Sequence, residues 1–200
     1  IHDDLPCMDN DSIRRGKPST HIKFGEASAV LAGNSLLTLA FEIIADKNYL
    51  INSNLKNKII RSLAYCSGHT GIAGGQELDL KFENKKKNLR QIIDMQKKKT
   101  GKLFNFCLYA AAVMAKKKDK EIKLFSKLGE DIGLLFQFAD DFLDIKGSKK
   151  LVGKPIKKDK KKGKSTLINL MGYEKAYKYA NSLKRNILLK LKKHGKNAKD

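Results

Sequence analysis

Apolar residues along this chain recur at steps of three and four, the spacing of one face of a helix. Over residues 23–46 the series is Ala27, Val30, Leu31, Leu37, Phe41 and Ile44, which predicts a long helix. The small residues Ala29, Ala32, Gly33 and Ser35 on it leave room for a close neighbour. Residues 49–54 read as a connector. A second helix is predicted over 55–71, with Ile59, Ile60, Leu63 and Ala64 facing inward. Gly74-Gly75 interrupts the pattern, because glycine costs a helix interior about 1 kcal/mol relative to alanine, and helix resumes over 76–82. A third long helix is predicted over 88–115. Thr100-Gly101 breaks its character midway, and its second half, from Leu103 to Ala115, is apolar on nearly all sides, which predicts deep burial. After a charged turn at 116–120, a further helix is predicted over 121–145. Residues 147–164 read as a Lys- and Gly-rich loop, 172–193 as a last helix, and the residues from 195 as a disordered tail. No segment alternates with the period of a strand, and no repeat of twenty to fifty residues stands out. The expected class is all-α, a helical bundle around a central cavity, in a single domain over 1–194.

Composition changes this picture little. Two hundred residues with 41% hydrophobic content suit one domain with a core. The net charge of +21 is compatible with nucleic acid or an anionic surface. Arginine, however, occurs only at 14, 15, 61, 90 and 185, and the lysines are spread over loops and helix faces. A solvated lysine-rich surface is the expected reading, with no nucleic-acid partner, and its positive field would attract polyanionic substrates. The most apolar stretch, 27–45, is broken by Asn34 and Glu42, so no membrane span is expected. No secretory signal is visible, and the chain starts inside a motif rather than at Met, as a portion of a longer protein would. Cys7, Cys66 and Cys107 are odd in number and form no CxxC, which fits a reducing cytoplasm.

The chemistry concentrates in two acidic stretches. Residues 136–147 place Asp140, Asp141 and Asp144 inside an apolar run with Phe138, Phe142 and Leu143. Helical residues are about 100° apart, so Asp140 and Asp144 share a face with Asp141 beside them. Uncompensated, each such pair repels by about 1–4 kcal/mol, and a hard cation such as Mg²⁺, which shares carboxylate oxygens with phosphates, would relieve this. The start of the chain echoes the pattern. Asp3 and Asp4 precede Pro6, which disfavours helix at Leu5, so Asp9 is placed on a loop that can swing back to the same metal. Arg14 and Arg15 follow, and guanidinium forks suit phosphate oxygens. Carboxylates for a metal and arginines for a phosphate point to a metal–diphosphate site.

Other residues leave two readings open. Lys99-Thr100-Gly101 is a packing kink or a device that aims Lys99 and the Thr100 hydroxyl at a phosphate. Gln76 and Asp79, one turn apart, are a helix-bend pair or reach the site. Residues 163–166 (Gly-Lys-Ser-Thr) end like a phosphate-binding P-loop, but Lys158 stands where its first Gly is needed and no strand precedes it. Lys154 and Lys164 remain candidates to meet an anion. His2 and His69 lack partners at metal-ligand spacing and are read as structural.

Taken together, these stretches resemble the trans-isoprenyl diphosphate synthase (polyprenyl synthetase) family, most closely its bacterial farnesyl (geranyl) diphosphate synthases. The match runs through Asp3-Asp4-x4-Asp9 with Arg14-Arg15-Gly16, Lys23-Phe24-Gly25-Glu26-Ala27, Leu31-Ala32-Gly33, Gly75-Gln76-Glu77-Leu78-Asp79, Lys99-Thr100-Gly101, Phe136-Gln137-x2-Asp140-Asp141-x2-Asp144, Gly153-Lys154 and the run ending at Thr166. The resemblance implies an isoprenoid-synthase-type bundle, a homodimer, and Mg²⁺-dependent condensation of isopentenyl diphosphate with an allylic diphosphate. It further implies that Asp3, Asp4, Asp9, Asp140, Asp141 and Asp144 serve several Mg²⁺ ions. Arg14, Gln76, Lys99, Thr100, Gln137, Lys154 and Lys164 would hold the allylic substrate, and Arg15 isopentenyl diphosphate. Asp3, Asp4, Asp9, Lys99, Asp140 and Asp141 would carry catalysis. A non-catalytic partner subunit of a heteromeric synthase is the alternative. Ala139, Pro155 and Lys157 depart from the family pattern, and the family's N-terminal helices and last C-terminal helix are expected to lie outside this sequence.

Overall fold

The 28-residue helix α7, Asp119–Lys146, is the longest element and carries the second acidic stretch. Its apolar positions bury Leu128, Leu134 and Phe138, which are 1%, 2% and 0% exposed. The computed structural model describes residues 1–48, 51–146 and 166–195. The predicted loop at 147–164, with Lys154 and Lys164, and all but the first residue of the predicted tail lie outside the described residues.

The other helices are α1, Thr20–Phe24; α2, Glu26–Ala45; α3, Ser53–Ser67; α4, Ile72–Phe82; α5, Leu89–Gln96; α6, Lys102–Met114; α8, Leu167–Met171; and α9, Tyr173–Leu191. Strands are confined, among the described residues, to a two-residue pair, β1 (Ile13–Arg14) and β2 (Lys17–Pro18), in antiparallel register. Arg15 and Gly16 turn it with φ of 53° and 75°, the left-handed pair that a two-residue hairpin requires. The class is all-α as expected. The chain groups into two compact units, one of Ile1–Ile60 with the last turn of α7, the other of Arg61–Phe142 with α8 and α9.

In the first unit the helix predicted over 23–46 is divided. Gly25 adopts φ 88°, ψ 158°, closes α1 and starts α2. Most of the apolar series on α2 is exposed, with Phe41 and Ile44 half-buried. Ala29 is its only buried residue, whereas Val30, Leu31, Leu36, Leu37, Leu39 and Ile43 are exposed. By length and composition α2 is apolar enough to cross a bilayer despite Asn34 and Glu42, as the core helices of soluble proteins also can be. Periodicity reports that a helix is apolar and does not report what lies against it.

In the second unit a core cluster joins Ile92 and Met95 of α5, Leu134 and Phe138 of α7, Leu167 and Ile168 of α8, and Ala176 and Ala180 of α9. Phe142 adds edge contacts to Tyr173 and Tyr177, with ring centroids 5.2 and 6.0 Å apart. α5 begins at a capping box in which Asn88 and Gln91 satisfy each other's backbone N–H groups, at 2.9 and 3.1 Å. The short α8, not anticipated, starts where the Thr166 hydroxyl accepts from Asn169 N–H at 3.1 Å.

One expectation fails here because of close backbone approach. α4 runs without interruption through Gly74 and Gly75. A methyl built on Gly75 would lie 2.6 Å from Lys99 Cα and 2.7 Å from the Lys98 carbonyl carbon, so glycine admits the neighbouring backbone at a cost in helix propensity. Likewise Gly133 of α7 lies against Gly101, where a methyl would come within 2.6 Å of its Cα. The expected deep burial of 103–115 is not met either. Ala110, Ala112 and Val113 are buried, but Leu103 and Met114 are 49% and 45% exposed.

Candidate diphosphate and metal site

The break foreseen at Thr100-Gly101 is a π-helical turn, Lys97–Gly101, inside otherwise α-helical chain. One extra residue per turn re-aims side chains, and such turns gather at functional positions. Here it presents Lys99 and Thr100 to α4 and α7. Lys99 Nζ donates to Asp79 Oδ2 at 2.8 Å, and Asp79 is buried. The Thr100 hydroxyl donates to Gln137 Oε1 at 3.3 Å. Gln137 Nε2 donates in turn to Asp141 Oδ1 at 3.0 Å. The other oxygen, Asp141 Oδ2, accepts the backbone N–H of Leu167 at 3.2 Å. Asp141 is 3% exposed, a depth at which a carboxylate needs such partners. Asp140 and Asp144 lie on the same helix, half-buried, one turn apart.

Lys99, Thr100, Gln137 and Asp141, selected from two separated motifs, therefore come together, with Asp79 of a third beside Lys99. Gln76 is buried on α4 one turn before Asp79. Sequence reasoning missed the Leu167 N–H. Its only signal was the position of Leu167 immediately after Thr166, where the matched run ends.

The N-terminal acidic segment belongs to the other unit. His2–Asp4 forms a single 3₁₀ turn. Asp9 lies on the turn that follows, and its N–H donates to the Asp3 carbonyl at 2.8 Å. Asp4 behaves differently from Asp3. It is 2% exposed, and its Oδ1 accepts from both Nε (2.9 Å) and Nη2 of Arg14. That hydrogen bond, opposed by partial burial and aided by the charges of Asp4, Asp11 and Asp3, raises the Arg14 pKa and keeps the guanidinium charged. Arg15 is exposed at the hairpin turn. Asp11 N–H donates to the Asp4 carbonyl at 3.0 Å, and the Ser19 hydroxyl donates to the Asp11 carbonyl.

Among the described residues, no group of three or more His, Cys, Asp or Glu side chains converges as a metal cluster. The donor chemistry nevertheless fits Mg²⁺, which keeps several waters and is held by one or two carboxylates together with substrate phosphates. Asp9 and Asp3 are joined through the backbone, and Asp140 and Asp144 stand one turn apart on α7.

The chain is thus all-α, with an Asp-rich segment before an Arg-bearing hairpin and a second Asp cluster tied to a Lys-Thr turn. Comparison gives the family. The polyprenyl synthetase family model matches residues 1–200, and the chain belongs to that family. It is 39% identical over 177 residues to a farnesyl diphosphate synthase of Bacillus subtilis, covering 88% of this chain and 60% of that protein. It is 41% identical over 184 residues to a geranylgeranyl diphosphate synthase of Cyanophora paradoxa, covering 92% and 61%. The fold matches a Helicobacter pylori geranyltransferase solved with magnesium and isoprenyl diphosphate, at TM-score 0.87 and 38% identity, covering 96% of this chain and 62% of that one. The chain thus spans about three-fifths of the length of the relatives it matches.

Proposed function

We propose that this chain is the part of a prenyltransferase that binds and ionises an allylic diphosphate. The whole enzyme would add isopentenyl diphosphate head to tail to a dimethylallyl or geranyl diphosphate, giving farnesyl or a similar short-chain product. The observation that carries this reading is the hydrogen-bonded line from Thr100 through Gln137 to Asp141, with Lys99 held beside it by Asp79. Ties of this kind fix the aim of a lysine and a hydroxyl before substrate arrives, which is the preorganisation that stabilises a leaving anion.

In this reading Lys99, Thr100, Gln76 and Gln137 contact the allylic diphosphate, with Lys154 and Lys164 as further cations. Arg14 spends Nε and one Nη2 proton on Asp4, and its remaining N–H groups face a phosphate. Arg15 is assigned to isopentenyl diphosphate. Asp3 and Asp9, and on α7 Asp140 and Asp144, are the carboxylates assigned to Mg²⁺. Asp4 and Asp141 act through what they hold, Arg14 and Gln137. Mg²⁺, when bound, neutralises charge on the departing diphosphate. The allylic C–O bond breaks with its electron pair on diphosphate, the isopentenyl double bond supplies the pair for the new C–C bond, and a proton leaves, taken up by the released diphosphate. The apolar walls formed by residues 103–115 and 136–142 are assigned to keep water from the cation.

A second copy of the chain is the occupant assigned to the exposed aliphatic face of α2. Free Cys7, Cys66 and Cys107 fit a reducing cytoplasm. No observation favours the alternative of a non-catalytic partner subunit. The test is incubation of the full-length protein with dimethylallyl and isopentenyl diphosphates and Mg²⁺, with product lengths read by mass spectrometry. Asp140→Ala should abolish product while the protein stays folded, and near-normal turnover by that variant would defeat the assignment.

A further inference from the structure

His2, immediately before Asp3, makes a contact that sequence spacing does not explain. Its Nε2 lies 2.9 Å from the carbonyl oxygen of Val30, in the second turn of α2 and twenty-eight residues away. A carbonyl only accepts, so Nε2 carries the proton and donates. A second and independent observation concerns shape. The imidazole sits where the side chain of Gly33 would be. A methyl built there would fall 2.5 Å from His2 Cδ2, 2.6 Å from Cε1 and nearer still to Nε2. One polar bond and one glycine notch therefore seat the same ring on α2.

The other ties of the turn that carries Asp3 run to the chain just after it rather than to α2. The turn is three residues long and has no side-chain cap. Its own N–H groups bond locally, Asp4 N–H to the Ile1 carbonyl and Leu5 N–H to the His2 carbonyl, both at 3.1 Å, and its Asp3 and Asp4 carbonyls accept from Asp9 and Asp11 N–H in the loop that follows, at 2.8 and 3.0 Å. Asp4 is held on its far side by Arg14. Any displacement of the turn at His2 passes to Asp3, and through the Asp9 N–H bond to the Asp3 carbonyl it passes to Asp9 as well.

We infer that His2 is a positioning residue, which clamps the Asp3–Asp9 carboxylates to α2 through the Val30 carbonyl and the Gly33 notch, and so sets the metal affinity of that segment. This rests on the assignment of Asp3 and Asp9 to Mg²⁺ made above and adds the element that holds them. Loss of an outer-shell partner commonly weakens metal affinity about 10-fold or more.

The test uses the full-length protein with His2→Phe (ring kept, donor lost), His2→Gln (donor kept), Gly33→Ala (notch filled) and Asp3→Ala. Thermal unfolding is followed as Mg²⁺ is titrated at fixed inorganic pyrophosphate, and the Mg²⁺ dependence of turnover is measured alongside. For His2→Phe and Gly33→Ala the midpoint of the Mg²⁺-dependent thermal shift should rise about 10-fold, a larger change than any in kcat at saturating Mg²⁺. His2→Gln should recover most of it. If Gly33→Ala fails to fold, the His2 pair decides alone. An unmoved midpoint in His2→Phe, or a loss of kcat without a midpoint change, overturns the inference. Asp3→Ala separates the two levels. If it abolishes the Mg²⁺ response while His2→Phe leaves it intact, only the role of His2 falls. If it too leaves the response intact, the metal assignment falls with it.

Discussion

Gly75→Ala tests the packing that sets the π turn. On helix propensity alone, alanine should stabilise α4 by about 1 kcal/mol. The structure opposes this. The new methyl would meet Lys99 Cα at 2.6 Å and the Lys98 carbonyl carbon at 2.7 Å, and both are backbone atoms that no rotamer change can move. Restoring ordinary contact needs a shift of about 1 Å between α4 and the turn, and overpacking of this kind costs about 1–3 kcal/mol. The net expectation is a loss of up to about 2 kcal/mol, or a Tm drop of several degrees at about 2–4 °C per kcal/mol for a domain of this size. Because the shifted backbone carries Lys99 and Thr100, KM for the allylic diphosphate should rise as well. Gly101→Ala is the built-in contrast. A methyl there meets nothing nearer than the Glu130 carbonyl oxygen at 3.5 Å, so Tm should hold or rise. Circular dichroism melts and allylic-substrate kinetics on the two variants decide the matter. If Gly75→Ala is as stable and as active as the unaltered protein, the close approach of α4 to the π turn is wrong.

Asp79→Asn removes the charge partner of Lys99 while keeping its shape, and should raise KM for the allylic diphosphate about 10-fold or more by loosening the lysine, as read from initial rates. Asn88→Ala breaks the capping box of α5 and should lower stability by about 1 kcal/mol in urea melts with little change in kcat. Burial pushes the Cys66 thiol above its usual value of 9.0, with Lys102 and Ser62 opposing. Above about pH 9 the unfolded thiol ionises first and the unfolded state holds fewer protons, so stability falls as pH rises; below that both states are protonated and nothing changes. Cys66→Ala should therefore show a shallower loss of urea midpoint between pH 8 and pH 10 than the unaltered protein. Leu31→Asp places a charge at a side chain that is 65% exposed on α2 and should weaken self-association about 100-fold or more in sedimentation, leaving the fold intact.

Much of the helix order was legible because helical periodicity is local. The spacing of apolar residues placed α3 and α7 near their observed bounds, and the acidic motifs stood out because charge inside an apolar run is costly wherever it occurs. Gly25 and Gly75 show why boundaries were harder. One glycine ends a helix through its φ of 88°, and the other sits within a helix to admit a neighbour's backbone. The two are indistinguishable until the neighbour is present.

The amino-acid order by itself determined the all-α class and the chemical types at the site: carboxylates, a Lys-Thr pair, a Gln and paired arginines. Tertiary structure decided which of these meet. It joined Lys99 to Asp79 across twenty residues and Asp141 to the Leu167 N–H across twenty-six, and it tied Asp4 to Arg14 while leaving Asp3 closed on Asp9 through the backbone. It also decided that most apolar side chains of α2 are exposed while Leu128, Leu134 and Phe138 of α7 are packed. The reason is physical: periodicity and composition are properties of one helix, whereas a hydrogen bond or a buried face is a property of two.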